Sequence, residues 1–244
     1  MKTIALIPAR YHATRFPAKL MQELHGKTII RRTYEAVVET KLFDEVIVVC
    51  DHELIQNEIE SCGGTIFFST QLHESGSDRI AEAAKQMNAD IIVNIQGDEP
   101  FIDKQSLASV LALFQNPDVK IASLMLPITD STKLEDPNCV KVVVDNFGKA
   151  LYFSRATIPY VRDVNEACTH FQHIGVYAYR KEALLHFTSL APSKLEKIEK
   201  LENLRLLENG IPIHLAIVDH VGISIDTEAD FKKASAYLDE QKNK

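Results

Sequence analysis

The chain has 244 residues, a formal net charge of −7, 45% hydrophobic residues and 25% charged ones. That is ordinary globular usage with enough length to bury a sizeable core, and it excludes a disordered or collagen-like chain. No run of about 18 apolar residues occurs, which rules out a membrane-spanning helix. The acidic balance argues against a general nucleic-acid binder, whose partner demands a basic face.

The apolar stretch inside Met1–Arg10 runs into Pro8 and lacks the small-residue cleavage site of a secretory signal. Thr3–Ala9 instead reads as a short buried strand. Helical spacing of Ile29, Ile30, Thr33, Ala36 and Val37 predicts a helix over Thr28–Thr40. Glu45–Cys50 is a β-branched run of the kind covered on both faces of a sheet. His52–Cys62 reads as a helix stopped by Gly63-Gly64, Thr65–Phe68 as a strand, and Ser77–Met87 as a helix capped by Ser75 or Ser77. Asp90–Ile95 is another buried strand. This alternation predicts an α/β fold with a mostly parallel sheet and helices on both faces.

After Lys120 the pattern changes. Ile121–Ile128, Cys139–Asp145 and Ala150–Phe153 read as antiparallel strands, with turn signals at Asp136-Pro137-Asn138 and Asn146-Phe147-Gly148. Ile174–Arg180 is a further strand with Tyr177 and Tyr179 on one face. Leu195, Ile198, Leu201 and Leu204 mark a helix over Leu195–Asn209, with Glu196 and Lys200 paired at i,i+4 and Gly210 as its stop. That stripe is expected to face the core. Ile213–Val218 reads as a strand and Thr227–Glu240 as a final helix. The chain reads as one domain over 1–244, with residues 120–210 as an inserted subdomain.

Cys50, Cys62, Cys139 and Cys168 form no C-x-x-C pair, so they are expected to be reduced, buried or inert thiols of a cytoplasmic protein. His170 and His173 are three apart in a strand-entering segment, which does not suit a zinc site.

Ligands of open α/β sheets bind at the carboxyl ends of the strands. The first strand is followed by Pro8-Ala9-Arg10-Tyr11-His12-Ala13-Thr14-Arg15-Phe16-Pro17-Ala18-Lys19. Between Arg10 and Arg32 six Lys or Arg face one acid, Glu23. Arg10, Arg15 and Lys19 on this loop suit a polyphosphate, through bidentate guanidinium and point-charge ammonium contacts, or else form a solvated basic face. Neither a Walker A motif nor a G-x-G-x-x-G fingerprint occurs. Asp98 follows the strand ending at Ile95, with Gly97 expected to admit a close ligand. Asp226 again follows a short apolar run. Each is either a helix cap or a Mg²⁺ ligand, since Mg²⁺ takes one or two carboxylates plus phosphate oxygens. Arg155, Arg162, His173, Tyr177 and Glu202 either hold a small hydroxyl-rich carboxylate substrate or are charged and polar side chains on the surface of the insertion.

Six blocks together resemble the 3-deoxy-manno-octulosonate cytidylyltransferase (CMP-Kdo synthetase) family. They are Pro8–Lys19, Ser75–Arg79 (SGSDR), Asn94–Pro100 (NIQGDEP), Ala150–Pro159 (ALYFSRATIP), His173–Tyr179 (HIGVYAY) and Leu195–Arg205 (LEKIEKLENLR), in family order along the chain. NIQGDEP with ALYFSRATIP is the specific conjunction. The resemblance implies a nucleotide-diphospho-sugar transferase fold and the reaction CTP + Kdo → CMP-Kdo + diphosphate, with Mg²⁺.

It further implies that Arg10, Arg15 and Lys19 hold the triphosphate, and that Ala9, Ser75, Gly76, Arg79 and Gln96 lie along the nucleotide. Asp98 and Asp226 would bind Mg²⁺, and Gln96, Arg155, Arg162, His173, Tyr177, Glu202 and Asn203 would line the sugar-acid site. It implies a cytoplasmic homodimer that feeds lipopolysaccharide assembly, with no nucleic-acid or membrane partner. The chain departs from the family's usual residues at Ala13 (Ser), Ala18 (Gly) and Asn203 (Gln), and Ile225–Asp230 lacks the Pro common at the helix start. Alternatives are a cytidylyltransferase for 8-amino-Kdo or sialic acid, or a non-catalytic nucleotide-binding subunit.

Overall fold

The computed structural model describes residues 1–12, 16–73, 75–163 and 165–242. It divides into two units, Met1–Leu107 with Val221–Lys244, and Ala108–His220.

The first unit is built around β1 (Thr3–Ala9). Then come a 3-10 turn at Lys19–Met21, a short hairpin of β2 (Glu23–Leu24) and β3 (Lys27–Thr28), and α1 (Ile29–Glu39). β4 (Glu45–Cys50), α2 (Glu53–Ser61), β5 (Thr65–Phe68), α3 (Gly76–Lys85) and β6 (Ile91–Asn94) follow. The four longer strands lie in the order β6-β1-β4-β5, all parallel. Leu6 sits beside Ile47 on one side and Asn94 on the other. Ile4 through Ala9 are all buried, because β1 has a strand on each edge and helices to cover its faces; its apolar run reflects this.

Local chemistry sets the helix starts. Thr28 accepts the Arg31 N–H at 3.2 Å at the head of α1, whose buried face is Ile29, Ile30, Thr33 and Val37. Ser75, rather than Ser77, caps α3 by accepting the Asp78 N–H at 3.1 Å. Gly63 ends the turn after α2 at φ +75°, a conformation that favours glycine. β1 stops at Ala9 and β6 at Asn94, so the loops starting at residues 10 and 95 leave the same carboxyl edge of adjacent strands.

After α4 (Lys104–Ala112) the second unit contains β7 (Ile121–Pro127), α5 (Thr132–Glu135), β8 (Lys141–Val144), β9 (Ala150–Ser154) and β10 (Phe171–Arg180). They are followed by α6 (Lys181–Ser189), α7 (Lys194–Glu199), α8 (Leu204–Glu208) and β11 (His214–Ile217). β10 runs antiparallel to β7 and β8, β8 antiparallel to β9, and β11 parallel to β7. The β7–β10 register slips between Ile174 and Tyr177, a bulge. The first unit closes with α9 (Glu228–Lys242).

The helix expected over Leu195–Asn209 is two helices. Lys200 takes a left-handed φ of 54°, and the chain turns before α8 begins. Arg155 explains the break. Its Nε donates to the Glu199 carbonyl at 2.7 Å and its Nη2 to the Lys200 carbonyl at 3.3 Å. Glu196 pairs with Arg205, not with Lys200: Nε–Oε2 is 2.8 Å and Nη2–Oε1 is 2.5 Å. Leu201 and Leu204 face the core as expected, whereas Ile198 is 66% exposed.

All four cysteines are free. Cys50 and Cys139 are buried, Cys62 is half-buried and Cys168 is exposed, so burial does not extend to Cys168. His170 Nε2 lies 3.1 Å from the Pro159 carbonyl and His173 Nε2 lies 3.1 Å from Ser123 Oγ, so the two imidazoles are engaged separately. Among the described residues no helix is long and apolar enough to cross a membrane.

Candidate active site

A cleft of about 380 Å³ opens at the carboxyl edge of β1 and β6. Pro8, Arg10, Lys19, Gln96, Asp98 and Asp226 line it, with Phe16, Leu20, Gly97, Glu99 and Ser224. Ala18 delivers Lys19 into the cleft through a left-handed conformation, φ 48° and ψ 33°, at the mouth of the 3-10 turn. The Lys19 ammonium donates to the Asp98 carboxylate, and Nζ lies 3.1 Å from Asp226 Oδ1. Two carboxylates from opposite ends of the chain therefore converge on one cation.

Asp226 is not the cap of α9. Thr227 Oγ1 accepts the Asp230 N–H at 3.2 Å, and Asp230 Oδ2 accepts the Thr227 N–H at 3.0 Å, a reciprocal cap one residue later. The segment carrying Asp226 is fixed to the β6 loop. Ile225 N–H donates to the Asp98 carbonyl at 3.0 Å, and a Cβ on Gly222 would stand 2.3 Å from the Phe101 carbonyl oxygen. Gly97 lines the cleft and also has a packing role. A Cβ there would lie 3.1 Å from both Ile30 Cδ1 and the Pro8 carbonyl.

Glu99 was not singled out by sequence. Burial, then the neighbouring Asp98 charge, raise its carboxyl to about 8, against a hydrogen bond from Ser224. Its adjacency to Asp98 was visible, but the burial that shifts it comes from the fold. Among the described residues no three acidic, His or Cys side chains converge to hold a metal unaided. The Asp98 and Asp226 pair nevertheless fits Mg²⁺, which draws its other ligands from phosphate oxygens and water, and the Lys19 ammonium already marks a cation position between them.

Other cations of the basic stretch serve the scaffold. Lys27 and Arg31 both bond Glu35, at 2.5 and 2.9 Å, and Arg32 bonds the carbonyls of Leu24 and His25, at 2.6 and 3.0 Å. Arg10 and Lys19 remain on the cleft, while Arg15 lies outside the described residues.

A second cleft of about 180 Å³ adjoins through Pro8, Arg10 and Gln96, which line both. Ala9, His73, Ser75, Gly76 and Arg79 complete it. The structure thus brings together every nucleotide residue expected from the sequence, apart from Arg15. Arg79 is buried, with Nη2 on Asp51 Oδ2 at 2.8 Å and, among the described residues, no hydrogen-bond partner for Nη1. The Ser75 hydroxyl is occupied as the α3 cap and donates to Asp78 Oδ2 at 2.9 Å. Gln96 Nε2 lies 3.3 Å from Asn94 Oδ1.

In the second unit, His173 packs on Phe153 and Tyr177, with ring centroids 5.0 and 5.3 Å away. Burial lowers the His173 imidazole to about 4, so it is neutral at physiological pH. Burial, then the nearby Glu202 charge, push the Tyr177 phenol upward, and it stays protonated. Tyr177 Oη and Asn203 Nδ2 are buried without a well-formed hydrogen bond, polar atoms of the kind a ligand or water satisfies. Arg155 spends three N–H groups on carbonyls, including Pro137 at 2.7 Å, and its own backbone N–H donates to Glu199 Oε2 at 3.0 Å. It is first a clamp of the α7 break. Arg162 is exposed, and the ring cluster forms without it.

The comparisons with known proteins agree with this geometry. A family model described as Cytidylyltransferase matches residues 4–216. A 3-deoxy-manno-octulosonate cytidylyltransferase of Flavobacterium johnsoniae is 57% identical over 98% of this chain and 99% of its own length. Its namesake in Christiangramia forsetii is 49% identical over 97% of both. A solved structure of CMP:2-keto-3-deoxy-manno-octonic acid synthetase complexed with CTP superposes with a TM-score of 0.94 at 35% identity. It covers 99% of this chain and 100% of that one. A 4-diphosphocytidyl-2C-methyl-D-erythritol synthase from Anaerococcus prevotii, 16% identical with a TM-score of 0.66, shares the fold. The chain belongs to the 3-deoxy-manno-octulosonate cytidylyltransferase family of nucleotidyltransferases.

Proposed function

We propose that this protein transfers the cytidylyl group of CTP to 3-deoxy-D-manno-octulosonate (Kdo) and releases diphosphate. The observation that carries the reading is the Lys19 ammonium held between Asp98 and Asp226 beside Arg10 at the carboxyl edge of β1 and β6. In the reaction the anomeric hydroxyl oxygen of Kdo bonds to the α-phosphorus. The bond from that phosphorus to the α,β-bridging oxygen breaks, diphosphate departs with its electron pair, and the hydroxyl proton passes to solvent. Such transfers rest on positioning and charge neutralisation rather than on a covalent nucleophile. Arg10, Arg15 and Lys19 hold the triphosphate and offset the charge gathering on the leaving diphosphate. Asp98 and Asp226 would hold Mg²⁺, which when bound supplies further charge neutralisation on the phosphates.

The acceptor is read by the second unit. A neutral His173 and a protonated Tyr177 hydrogen-bond hydroxyls rather than supply charge. Charge for the acid's carboxylate falls to Arg162 and the remaining N–H groups of Arg155. Diphosphate release with CTP and Kdo, 8-amino-Kdo or sialic acid as acceptor tests the substrate. Preference for Kdo is expected, and preference for sialic acid overturns the choice.

The same reading places the protein in the cytoplasm, as a source of activated Kdo for lipopolysaccharide assembly. It makes the chain a homodimer joined through the inserted segment 120–210, since Phe147, Leu151 and Ile198 are exposed apolar side chains of that segment. Sedimentation at micromolar concentration should show two copies per particle; a monomer at that concentration contradicts the dimer.

A further inference from the structure

The helix α9 packs on the segment that carries Lys19. Asp226 stands just before it, and the reciprocal Thr227–Asp230 cap sets its first turn, in which the Phe231 N–H donates to the Thr227 carbonyl at 3.0 Å. Phe231 meets Phe16 edge to face, with ring centroids 6.0 Å apart and planes at 80°. One turn further along, Ser235 Oγ lies 3.1 Å from His25 Nε2, in the turn between β2 and β3. Phe231, Ala234, Ser235 and Leu238 recur at helical spacing and are buried or half-buried, so this face of α9 is the one laid on the molecule.

The reaction above uses Asp226 but none of α9 itself. The path from Phe231 to the cleft is short. Phe16 lines the cleft, and its carbonyl accepts the Lys19 N–H at 3.1 Å, closing a turn through Pro17 and the left-handed Ala18. The Lys19 side chain leaves that turn toward Asp98 and Asp226. A hydrogen-bonded turn of this kind moves as one piece, so whatever holds the Phe16 ring also fixes where the Lys19 side chain starts. The Lys19–Asp226 pair is thus held to α9 from both sides: Asp226 by its place at the cap, Lys19 through Phe16. We infer that Phe231 is a positioning residue for the transfer, a ring that seats the Phe16–Lys19 turn so that the ammonium stands where the phosphates arrive. An ammonium on a flexible four-carbon stem gains from an anchored backbone, because small misplacements cost much of the catalytic effect. The inference rests on the CTP reading above and adds the contact that aims its cation.

The test uses the full chain with CTP, Kdo and Mg²⁺, and a cycle of Phe231→Ala, Lys19→Ala and the double variant. Phe231→Ala is expected to lower kcat by ~10-fold, the upper worth of one aromatic pair, and to leave the KM for Kdo unchanged. In the Lys19→Ala background the same substitution should cost less than ~2-fold, because the group it aims is gone. Phe231→Leu, which keeps apolar bulk against Phe16, should restore most of the rate. Amide hydrogen exchange of the free protein gives a readout without turnover: the Lys19 N–H should exchange ~10-fold faster in Phe231→Ala, with the β4 amides unchanged. An unchanged kcat in folded Phe231→Ala overturns the inference, and so does an unchanged Lys19 exchange rate. An equal loss in both backgrounds overturns it too, since that is what a merely structural role produces. Should Phe231→Ala not fold, Phe16→Ala removes the same contact from its other side, and an unchanged Lys19 exchange rate there overturns the inference. Should the wild type release no diphosphate, the catalytic reading fails alone, and Lys19 exchange with the CTP affinities of the same cycle still decides the role of Phe231.

Discussion

Lys19 and Asp226 stand 207 positions apart in the chain, yet Nζ and Oδ1 lie 3.1 Å apart. The contact exists because Thr227 and Asp230 cap α9 between themselves, so the Asp226 side chain is turned to the cleft. It joins the basic loop after β1 to the C-terminal segment and sets a cation between two carboxylates.

Lys19→Ala should lower turnover with CTP by ~100-fold or more, the scale of removing one charge-stabilising donor, while Kdo affinity changes little. Initial rates of diphosphate release, with separate calorimetry for Kdo, measure both. An unchanged rate would remove Lys19 from the triphosphate site.

Asp98→Ala should lose turnover by a similar factor and keep its fold, because the Asp98 groups that bind the scaffold are backbone ones: its carbonyl accepts the Ile225 N–H. Circular dichroism and rates at increasing Mg²⁺ check this. A normal rate at low Mg²⁺ would refute the metal assignment.

Ala18 occupies a left-handed conformation that costs an alanine about 1 kcal/mol or more and a glycine almost nothing. Ala18→Gly should therefore raise stability by about 1 kcal/mol and the melting temperature by about 3 °C. A lower denaturation midpoint in urea would show that the flexibility gained by the unfolded chain outweighs the relieved strain.

The Glu196–Arg205 pair is nearly buried, with side chains 13% and 7% exposed, and Arg205 also lies over the Phe187 ring at 5.1 Å. Burial pushes the Glu196 carboxyl up, but the Arg205 guanidinium and the Ser193 N–H outweigh it and hold the group below its ordinary value of 4.5. A carboxyl lowered on folding stabilises the protein above its unfolded value and loses that contribution as pH falls through its folded one. Glu196→Ala should cost about 3 kcal/mol at pH 7, and the gap to the wild type should shrink below about pH 4.5. Urea titrations at pH 7 and pH 3.5 test it; equal gaps at both would show that the pair's charge contributes nothing.

The first unit was largely legible in the sequence because its strands carry their environment with them. Thr3–Ala9 and Glu45–Cys50 appear at the residues read from their apolar runs, since central parallel strands must be apolar on both faces, and Thr65–Phe68 appears as read at the sheet edge. The break between α7 and α8 was not legible. A left-handed Lys200 follows from Arg155, 45 positions away, reaching the last carbonyls of α7. Local periodicity carries no trace of such a partner. The clefts divide in the same way. Arg10, Lys19, Gln96 and Asp98 follow strands and could be found by asking what lies at their carboxyl ends. Asp226 looked equally like a cap until the reciprocal Thr227–Asp230 bonds took that role. Glu99 drew no notice because its significance comes from its burial, then from Asp98, Ser224 and Asp226 around it, and the burial is set by the fold.

The most direct measurement is diphosphate release by the purified protein from CTP, with and without Kdo and Mg²⁺, and with UTP, ATP and GTP in place of CTP. The expected result is release only when CTP, Kdo and the metal ion are present together. Release at equal rates with other nucleotides, or none with any combination, would contradict a cytidylyl transfer centred on Lys19, Asp98 and Asp226.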